Sequence, residues 1–236
     1  MTANTRFAIV RSHTVHTNYI NMRTIRTILC LAALTAGVAT SMAQSNVYSL
    51  NVVGYVNTPF LGASGAAKLN VVANPLNNTN NTLNGVLNNT SIPLGANFFA
   101  WNGTGFNTAT WLGDSWDNNF SFPPGTGALI LTDGNFTNTF VGEVLQGSLT
   151  NSFSSGYSMK ASQVPQAGDL DALGLGAALG LGDNVLKWNF ATQGYDTYTF
   201  LGVGSWDPST PSVGVGEGFF INSTAGGNWT RNFTVQ

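Results

Sequence analysis

The segment WNFATQGYDTYTF, residues 188–200, decides the fold class of this chain. Its second half, YDTYTF, is rich in aromatic residues and alternates polar with aromatic residues from Thr197 to Phe200, which is the pattern of a strand with one buried face. A related segment, WNGTGFNTATW at residues 101–111, precedes it by roughly 90 residues. Both segments lead to Ser-Trp-Asp, at 115–117 and again at 205–207. A strand-and-turn pattern that occurs twice predicts an all-β protein with an internal repeat.

The repeat extends over most of the chain. Blocks recur in the same order at a spacing of roughly 90 residues. The matched blocks are VVGYV and FVGEV (52–56, 140–144), LNVVANPLN and YSMKASQVP (69–77, 157–165), GANFFAWN and GDNVLKWN (95–102, 182–189), DSWD and GSWD (114–117, 204–207), PGTGALI and VGEGFFI (124–130, 215–221), and NFTNTFV and NWTRNFTV (135–141, 228–235).

The mid-chain segment FTNTFVGEV, residues 136–144, matches the C-terminal block with its first half and the N-terminal block with its second half. We therefore predict two pseudo-symmetric units, 44–140 and 141–236, that share a central strand. We expect the units to pack as one intertwined domain. The ends of the mature chain should then lie close together, with the N-terminal strand completing the second unit.

Short apolar runs bounded by Gly, Pro and Asn predict strands throughout residues 44–236. The predicted strands are Tyr48–Val56, Leu69–Ala73, Phe98–Trp101, Ala128–Leu131, Phe136–Leu145, Tyr157–Ala161, Val185–Trp188, Tyr195–Leu201, Phe219–Ile221 and Trp229–Val235. Helical spacing occurs at Asp169–Leu179, and Thr82–Leu87 is expected to form a single turn. Strands at this spacing predict a β-sandwich or barrel-like fold with at most one or two short helices.

An export signal is predicted at residues 22–43, MRTIRTILCLAALTAGVATSMA. Two arginines precede an apolar run, and small residues end the segment at Ala43, which is the layout of a cleaved secretory signal. The apolar run is too short for a membrane span, which needs about 20 residues. Residues 1–21 carry no recognisable feature, so we interpret Met22 as the true start. The mature protein is expected in the periplasm, on the cell surface or outside the cell, without a transmembrane segment.

Composition excludes several function classes. Residues 44–236 contain no cysteine and no histidine, because Cys30, His13 and His16 all precede them. Thiol chemistry, histidine acid–base chemistry and the usual zinc sites are therefore excluded. No cofactor is predicted, although Asp and Asn oxygens leave calcium open. The basic side chains of this part are Lys68, Lys160, Lys187 and Arg231, against 10 acidic ones. Nucleic acid is a poor partner for such a surface.

The repeated aromatic residues are candidates for sugar binding. Exposed rings near Asp and Asn suit carbohydrate, because the ring covers the apolar face of a sugar while amides and carboxylates bind its hydroxyls. The candidate binding residues are Trp111, Trp116, Asp117, Tyr195, Tyr198, Trp206 and Asp207. The alternative is that these tryptophans close the ends of the hydrophobic core, as aromatic residues do in any β-domain. Trp101 and Trp188 end apolar runs, so we expect them to face a core.

Carboxylates are the remaining catalytic groups. A glycosidase needs two of them about 5 to 10 Å apart across a cleft. The candidates are Asp117, Asp207 and Glu217, but Glu217 has Thr126 at the matching position of the first unit. Asp117 and Asp207 do correspond to each other, although their place after Ser-Trp is typical of a turn.

Several motifs together resemble a group of secreted proteins of verrucomicrobial-type bacteria. They are NVYSLNVVGYVN (46–57), VGEVLQGSLTN (141–151), ASQVPQAG (161–168), GSWDPSTPSVGVGEGFF (204–220) and WTRNFTV (229–235). The resemblance covers nearly all of the mature chain. It implies an exported, internally duplicated all-β protein, and it carries no known activity, so it assigns no functional residue. A looser similarity links the pattern of Trp followed by Gly-x-Gly-Phe-Phe to bacterial surface and adhesion-associated β-domains.

These observations predict an exported, non-catalytic β-protein of the cell envelope or exterior that acts as a structural or interaction module. Its expected partners are polysaccharide or other envelope proteins. The alternative is a carbohydrate-binding module that uses the aromatic residues named above, and a glycoside hydrolase is the third possibility.

Overall fold

The computed structural model describes residues 52–235, so the predicted signal segment and residues 1–21 lie outside the described residues. The strands are β1 (Val53–Phe60), β2 (Lys68–Ala73), β3 (Asn97–Trp101), β4 (Phe106–Thr110), β5 (Gly127–Thr132), β6 (Phe136–Glu143), β7 (Gly147–Phe153), β8 (Gly156–Ala161), β9 (Gly168–Asp169), β10 (Asn184–Asn189), β11 (Gly194–Gly202), β12 (Ser205–Asp207), β13 (Ser212–Val213), β14 (Gly218–Ser223) and β15 (Gly227–Phe233). A helical turn, α1 (Leu83–Val86), and a 3₁₀ helix (Gly176–Ala178) complete the elements. The chain is all-β, as predicted. Within these residues no helix has the length and apolar character to cross a membrane.

Two antiparallel sheets form the body of the sandwich. The first sheet has the strand order β2-β5-β3-β4, and the second has the order β8-β14-β10-β11-β12. Two-stranded ribbons, β1 with β6 and β7 with β15, accompany them. The β1–β6 ribbon contributes to the hydrophobic core of the first sheet, and the β7–β15 ribbon to that of the second. We call β1 to β6 the first half and β7 to β15 the second half.

The central strands β5 and β14 are buried on both faces, which explains their unbroken apolar sequences GALIL and GFFI. In β14, Phe219 and Ile221 point into the core of the second half, whereas Phe220 points toward the first sheet. Leu129 of β5 likewise points toward the second sheet. Alternating residues of one strand therefore serve two different apolar layers.

The layer between the two sheets is called the junction. Its buried residues are Leu129, Met159 and Phe220, and its partly buried residues are Leu69, Val71, Phe99, Trp101 and Leu186. The two sheets also exchange backbone hydrogen bonds at the ends of their edge strands. Ala73 N donates to Gly216 O at 2.8 Å, and Ala161 N donates to Gly125 O at 3.1 Å. The contacts run in both directions, as in the self-complementary interface of a two-fold dimer.

The mid-chain strand differs from the prediction. Instead of one strand over Phe136–Leu145, the chain forms β6 and then β7, with a break before Gly147, whose φ is 85°. The expectation that the N-terminal strand completes the second half was wrong. Strand β1 pairs with β6 along its whole length, and Phe60 stacks on Phe136 with ring centroids 4.6 Å apart. Burial of this pair in the core of the first half keeps β1 there.

Both ends of the described chain lie beside this break. Val144 N donates to Val52 O at 2.7 Å, and Val235 N donates to Gln146 Oε1 at 3.0 Å. Residues 52 and 235 thus bond to positions only two residues apart in sequence.

The helix expected at Asp169–Leu179 does not form. Asp169 lies in β9 and its Oδ1 accepts a hydrogen bond from Ala172 N at 2.6 Å, which fixes a turn. Gly174 follows with a φ of 83°, outside the helical region, so only the 3₁₀ turn remains.

Candidate functional site

The three tryptophans predicted to bind sugar are buried. Trp111, Trp116 and Trp206 are 1%, 3% and 7% exposed. The indole of Trp116 donates to Leu87 O at 2.7 Å, and that of Trp206 donates to Asp171 Oδ2 at 3.0 Å. Rings held this way present no face to a ligand. The prediction that these three residues form a platform for sugar stacking was therefore wrong. Each of the repeated Ser-Trp-Asp motifs instead closes the core of its own half.

The other predicted binding residues do not converge. Asp117 is exposed and accepts a hydrogen bond from Thr110 N at 2.7 Å, which holds the turn after β4. Asp207 is exposed in β12 of the second sheet, opposite Thr199. Tyr198 is half-buried against the core of the second half. Of the predicted set, Tyr195 lies in a different environment, described below.

Two of the carboxylates considered for catalysis, Asp117 and Glu217, have structural partners. Glu217 forms an ion pair with Lys187 at 3.2 Å and accepts a hydrogen bond from Gly214 N at 2.7 Å. Among the described residues, no group of three His, Cys, Asp or Glu side chains is placed to bind a metal ion.

Asp183 is a buried carboxylate with a structural role that sequence reasoning missed. It is 1% exposed, and its oxygens accept hydrogen bonds from Gly180 N, Ser223 Oγ, Thr224 N and Thr224 Oγ1. Burial by itself would raise the pKa of Asp183, but these donors together lower it below its usual value. The charged form is thereby favoured in the fold. Asp183 joins the start of β10 to the end of β14.

A cluster of aromatic side chains crosses the junction, and we call it the junction cluster. It consists of Trp101, Phe106, Tyr157, Trp188, Tyr195 and Phe220. Phe220 lies at its centre, with the Trp101 ring 5.3 Å and the Tyr195 ring 5.7 Å away. Tyr157, Phe106 and Tyr195 remain 47%, 40% and 36% exposed, so the cluster presents aromatic surface from both halves.

Two indoles of the junction cluster bond across the junction. Trp101 Nε1 donates to Tyr157 O at 2.9 Å, and Trp188 Nε1 donates to Leu69 O at 3.0 Å. Each tryptophan thus reaches from the third strand of its own sheet to the edge strand of the other sheet. Both are half-buried here, and the repeated Trp-Asn pair was the sequence signal for this contact.

An open groove of about 310 Å³ lies beside the junction cluster, and we call it the junction groove. Its lining residues are Trp101, Asn102, Gly103, Thr126, Ser154, Ser155, Tyr157, Ser158, Met159 and Lys160. Two aromatic side chains therefore stand next to hydroxyl, amide and ammonium groups. This combination is typical of sites that bind amphipathic ligands, because apolar surface supplies affinity and a few polar groups fix orientation.

Lys160 gives the junction groove a positive charge. Partial burial lowers the pKa of Lys160 below its usual value. The ion pair between Lys187 and Glu217 does not involve Lys160, and the residues that line the junction groove include no Asp or Glu.

A second open cavity, of about 410 Å³, is lined mainly by amide side chains between α1 and β6. Two of its amides have protein partners: Asn138 donates to Val86 O at 2.9 Å and Asn89 donates to Thr137 O at 2.7 Å. These bonds attach β6 to the α1 region. The cavity has no aromatic lining residue, which makes the junction groove the stronger candidate for ligand binding.

Comparison with known protein families, curated proteins and solved structures finds no match to this chain.

Proposed function

We propose that this protein is an exported, non-catalytic module that binds carbohydrate in the junction groove. The observation that carries the proposal is the placement of Trp101 and Tyr157 beside the hydroxyl side chains of Ser154 and Ser155 in one open groove. Aromatic rings cover the apolar face of a sugar, and hydroxyl side chains bind its hydroxyl groups.

The groove lining also supports binding without hydrolysis. A glycosidase requires two carboxyl groups on either side of the scissile bond. The residues that line the junction groove include no Asp or Glu. Two of the three carboxylates that the sequence offered for catalysis have structural roles instead: Asp117 holds a turn, and Glu217 pairs with a lysine.

We further propose that the two halves derive from one duplicated unit. Corresponding strands occupy the same order in both sheets, and the bonds of Trp101 and Trp188 across the junction are reciprocal. A groove at the junction then belongs to both copies at once. The signal proposed at residues 22–43 directs the protein to the periplasm, the cell surface or the medium, where polysaccharide is available.

The test is a titration of the exported protein with oligosaccharides of glucose, xylose, mannose and N-acetylglucosamine, followed by tryptophan fluorescence. Binding in the groove should change the emission of Trp101 in a saturable way. Tyr157→Ala should weaken binding about tenfold, as expected for the loss of roughly 1.4 kcal/mol of ring contact. Tyr55→Ala is the matched control, because Tyr55 is 73% exposed on β1 and does not line the groove.

No response to any sugar by a folded protein would overturn the proposal. The protein would then be better described as a structural or interaction module with protein partners. Equal loss of binding in Tyr157→Ala and Tyr55→Ala would place the sugar site outside the junction groove.

A further inference from the structure

The two turns that follow the Trp-Asn pairs differ in length. In the first half Gly103–Thr104 separates Asn102 from Gly105, whereas in the second half Phe190–Gln193 separates Asn189 from Gly194. In both turns the asparagine Oδ1 accepts backbone hydrogen bonds: from Gly105 N at 2.9 Å in the first half and from Ala191 N at 3.1 Å in the second. The turns are built alike, apart from the additional residues of the second.

The longer turn places a carboxamide on the edge of β2. Gln193 Oε1 accepts a hydrogen bond from Leu69 N at 2.9 Å, and Gln193 Nε2 donates to Leu69 O at 3.3 Å. Gln193 has a φ of 51°, a left-handed conformation that few residues other than glycine adopt. The chain thus satisfies an unpaired strand edge with one amide side chain, because edge N–H and C=O groups need partners.

The corresponding edge on β8 lacks such an amide. Tyr157 O accepts the Trp101 indole N–H, just as Leu69 O accepts that of Trp188. The N–H of Tyr157 points away from β14, since Ala161, four residues along the same strand, directs its own N–H outward to Gly125 O. The turn that contains Gly103 is too short to place a side chain beside Tyr157. The junction groove therefore lies at the position that the Gln193 side chain fills in the second half.

We propose that the junction groove selects sugars that carry an acetamido group, that is, N-acetylhexosamines. An acetamido group offers the same acceptor as the Gln193 carboxamide, an amide carbonyl oxygen. Its carbonyl accepts from Tyr157 N, as Gln193 Oε1 accepts from Leu69 N in the second half, while the sugar ring packs on Trp101 and Tyr157. This inference rests on the proposed carbohydrate binding and names the substrate class of the same site.

The first experiment compares chitotetraose with cellotetraose, two matched β-1,4 oligosaccharides that differ in the acetamido group, by isothermal titration calorimetry on the exported protein. We expect chitotetraose to bind at least tenfold more tightly. In ¹H–¹⁵N spectra, the Tyr157 amide should shift downfield with chitotetraose and stay nearly unchanged with cellotetraose.

A loop exchange tests the geometry. Replacing Gly103–Thr104 with the sequence of Phe190–Gln193 should place a glutamine amide on Tyr157 and reduce the affinity for chitotetraose by more than tenfold. Gln193→Ala is the matched control, since it alters the same kind of turn but leaves the junction groove intact, and it should leave that affinity unchanged. Thermal unfolding of both variants shows that they retain the fold.

The outcomes separate this inference from the proposed function. Equal binding of both oligosaccharides, lost in Tyr157→Ala, overturns the acetamido preference and retains carbohydrate binding. Absence of binding by any sugar overturns both. A glutamine-rich peptide that binds and shifts the Tyr157 amide, when chitotetraose does not, identifies a protein ligand and overturns the assignment to a sugar.

Discussion

Gly127 and Gly218 oppose each other where the two sheets cross. A Cβ added to Gly218 would lie 3.0 Å from the Cα of Gly127, and one added to Gly127 would lie 3.3 Å from the Cα of Gly218. Both glycines begin a central strand, β5 and β14, so they hold equivalent positions in the two halves. The sheets approach this closely because neither position carries a side chain.

Gly218→Ala should therefore destabilise the protein by about 1 to 3 kcal/mol, the usual range for excess volume in a packed interior. The new methyl group would also lie 3.1 Å from Val72 O, which belongs to a strand backbone and has little freedom to move. Urea unfolding measures the change. Gly105→Ala is the control, because a Cβ there meets nothing within 4 Å, and an equal loss in both variants would contradict close packing as the cause.

The two classes of tryptophan should respond differently to loss of the indole N–H. Trp116→Phe leaves Leu87 O buried without its donor and removes volume from the core, so we expect a loss of roughly 2 to 4 kcal/mol. Trp101→Phe frees Tyr157 O at the open groove, where water replaces the donor, and should cost about 1 kcal/mol. Chemical unfolding of both variants provides the comparison, and a larger loss in Trp101→Phe would contradict it.

Asp183 should make stability depend on acid pH. Its pKa in the fold is lower than in the unfolded chain, so its contribution is complete above the unfolded value of about 3.9 and declines as pH falls toward the folded value. Asp183→Asn should flatten this part of the profile of unfolding free energy against pH. Ser223→Ala removes one of the donors and should flatten it less. Identical profiles in all three proteins would exclude Asp183 as the source.

The hydroxyl of Tyr195 should ionise at a higher pH than that of an exposed tyrosine. Burial in the junction cluster raises the pKa of Tyr195 to about 12 from the usual 10.0. The contribution of Tyr195 to the free energy of unfolding is fully present below pH 10 and declines as pH rises toward 12. Between these values the tyrosine ionises readily only in the unfolded chain. Phenolate absorbance should show a late phase that disappears in Tyr195→Phe. Loss of that phase in Tyr55→Phe instead would assign it to another ring.

Local patterns predicted the fold where apolar residues alternate or run together. The alternation of polar and aromatic residues from Thr197 to Phe200 predicted β11, and the apolar runs at Leu129 and Phe219 predicted the central strands. Strand β7 was not predicted, because one of its inward-facing residues is Asn151. This side chain is buried and donates to Gly125 O and Ala161 O. A prediction based on polarity alone assigns such an inward-facing polar residue to the exposed face of a strand or to a loop.

The candidate site was less accessible to sequence reasoning. The burial of Trp206 had a signal, since Ser-Trp-Asp alternates exposed, buried, exposed along β12. The junction groove depends on contacts such as that between Trp101 and Tyr157, 56 residues apart, which no local pattern contains. Its traces in the sequence are the repeated Trp-Asn pair and the difference in length between the two turns that follow it.

The position of the chain ends makes the order of the halves interchangeable. Because residues 52 and 235 both bond beside the break between β6 and β7, a short linker between them and a cut at Leu145 give a permuted chain in which the second half is synthesised first. Every strand pair of the two sheets is retained in that chain. We expect it to fold with a similar unfolding free energy and an unchanged groove, as calorimetry and a chitotetraose titration can establish. Connectivity and architecture would then be independent properties of this molecule.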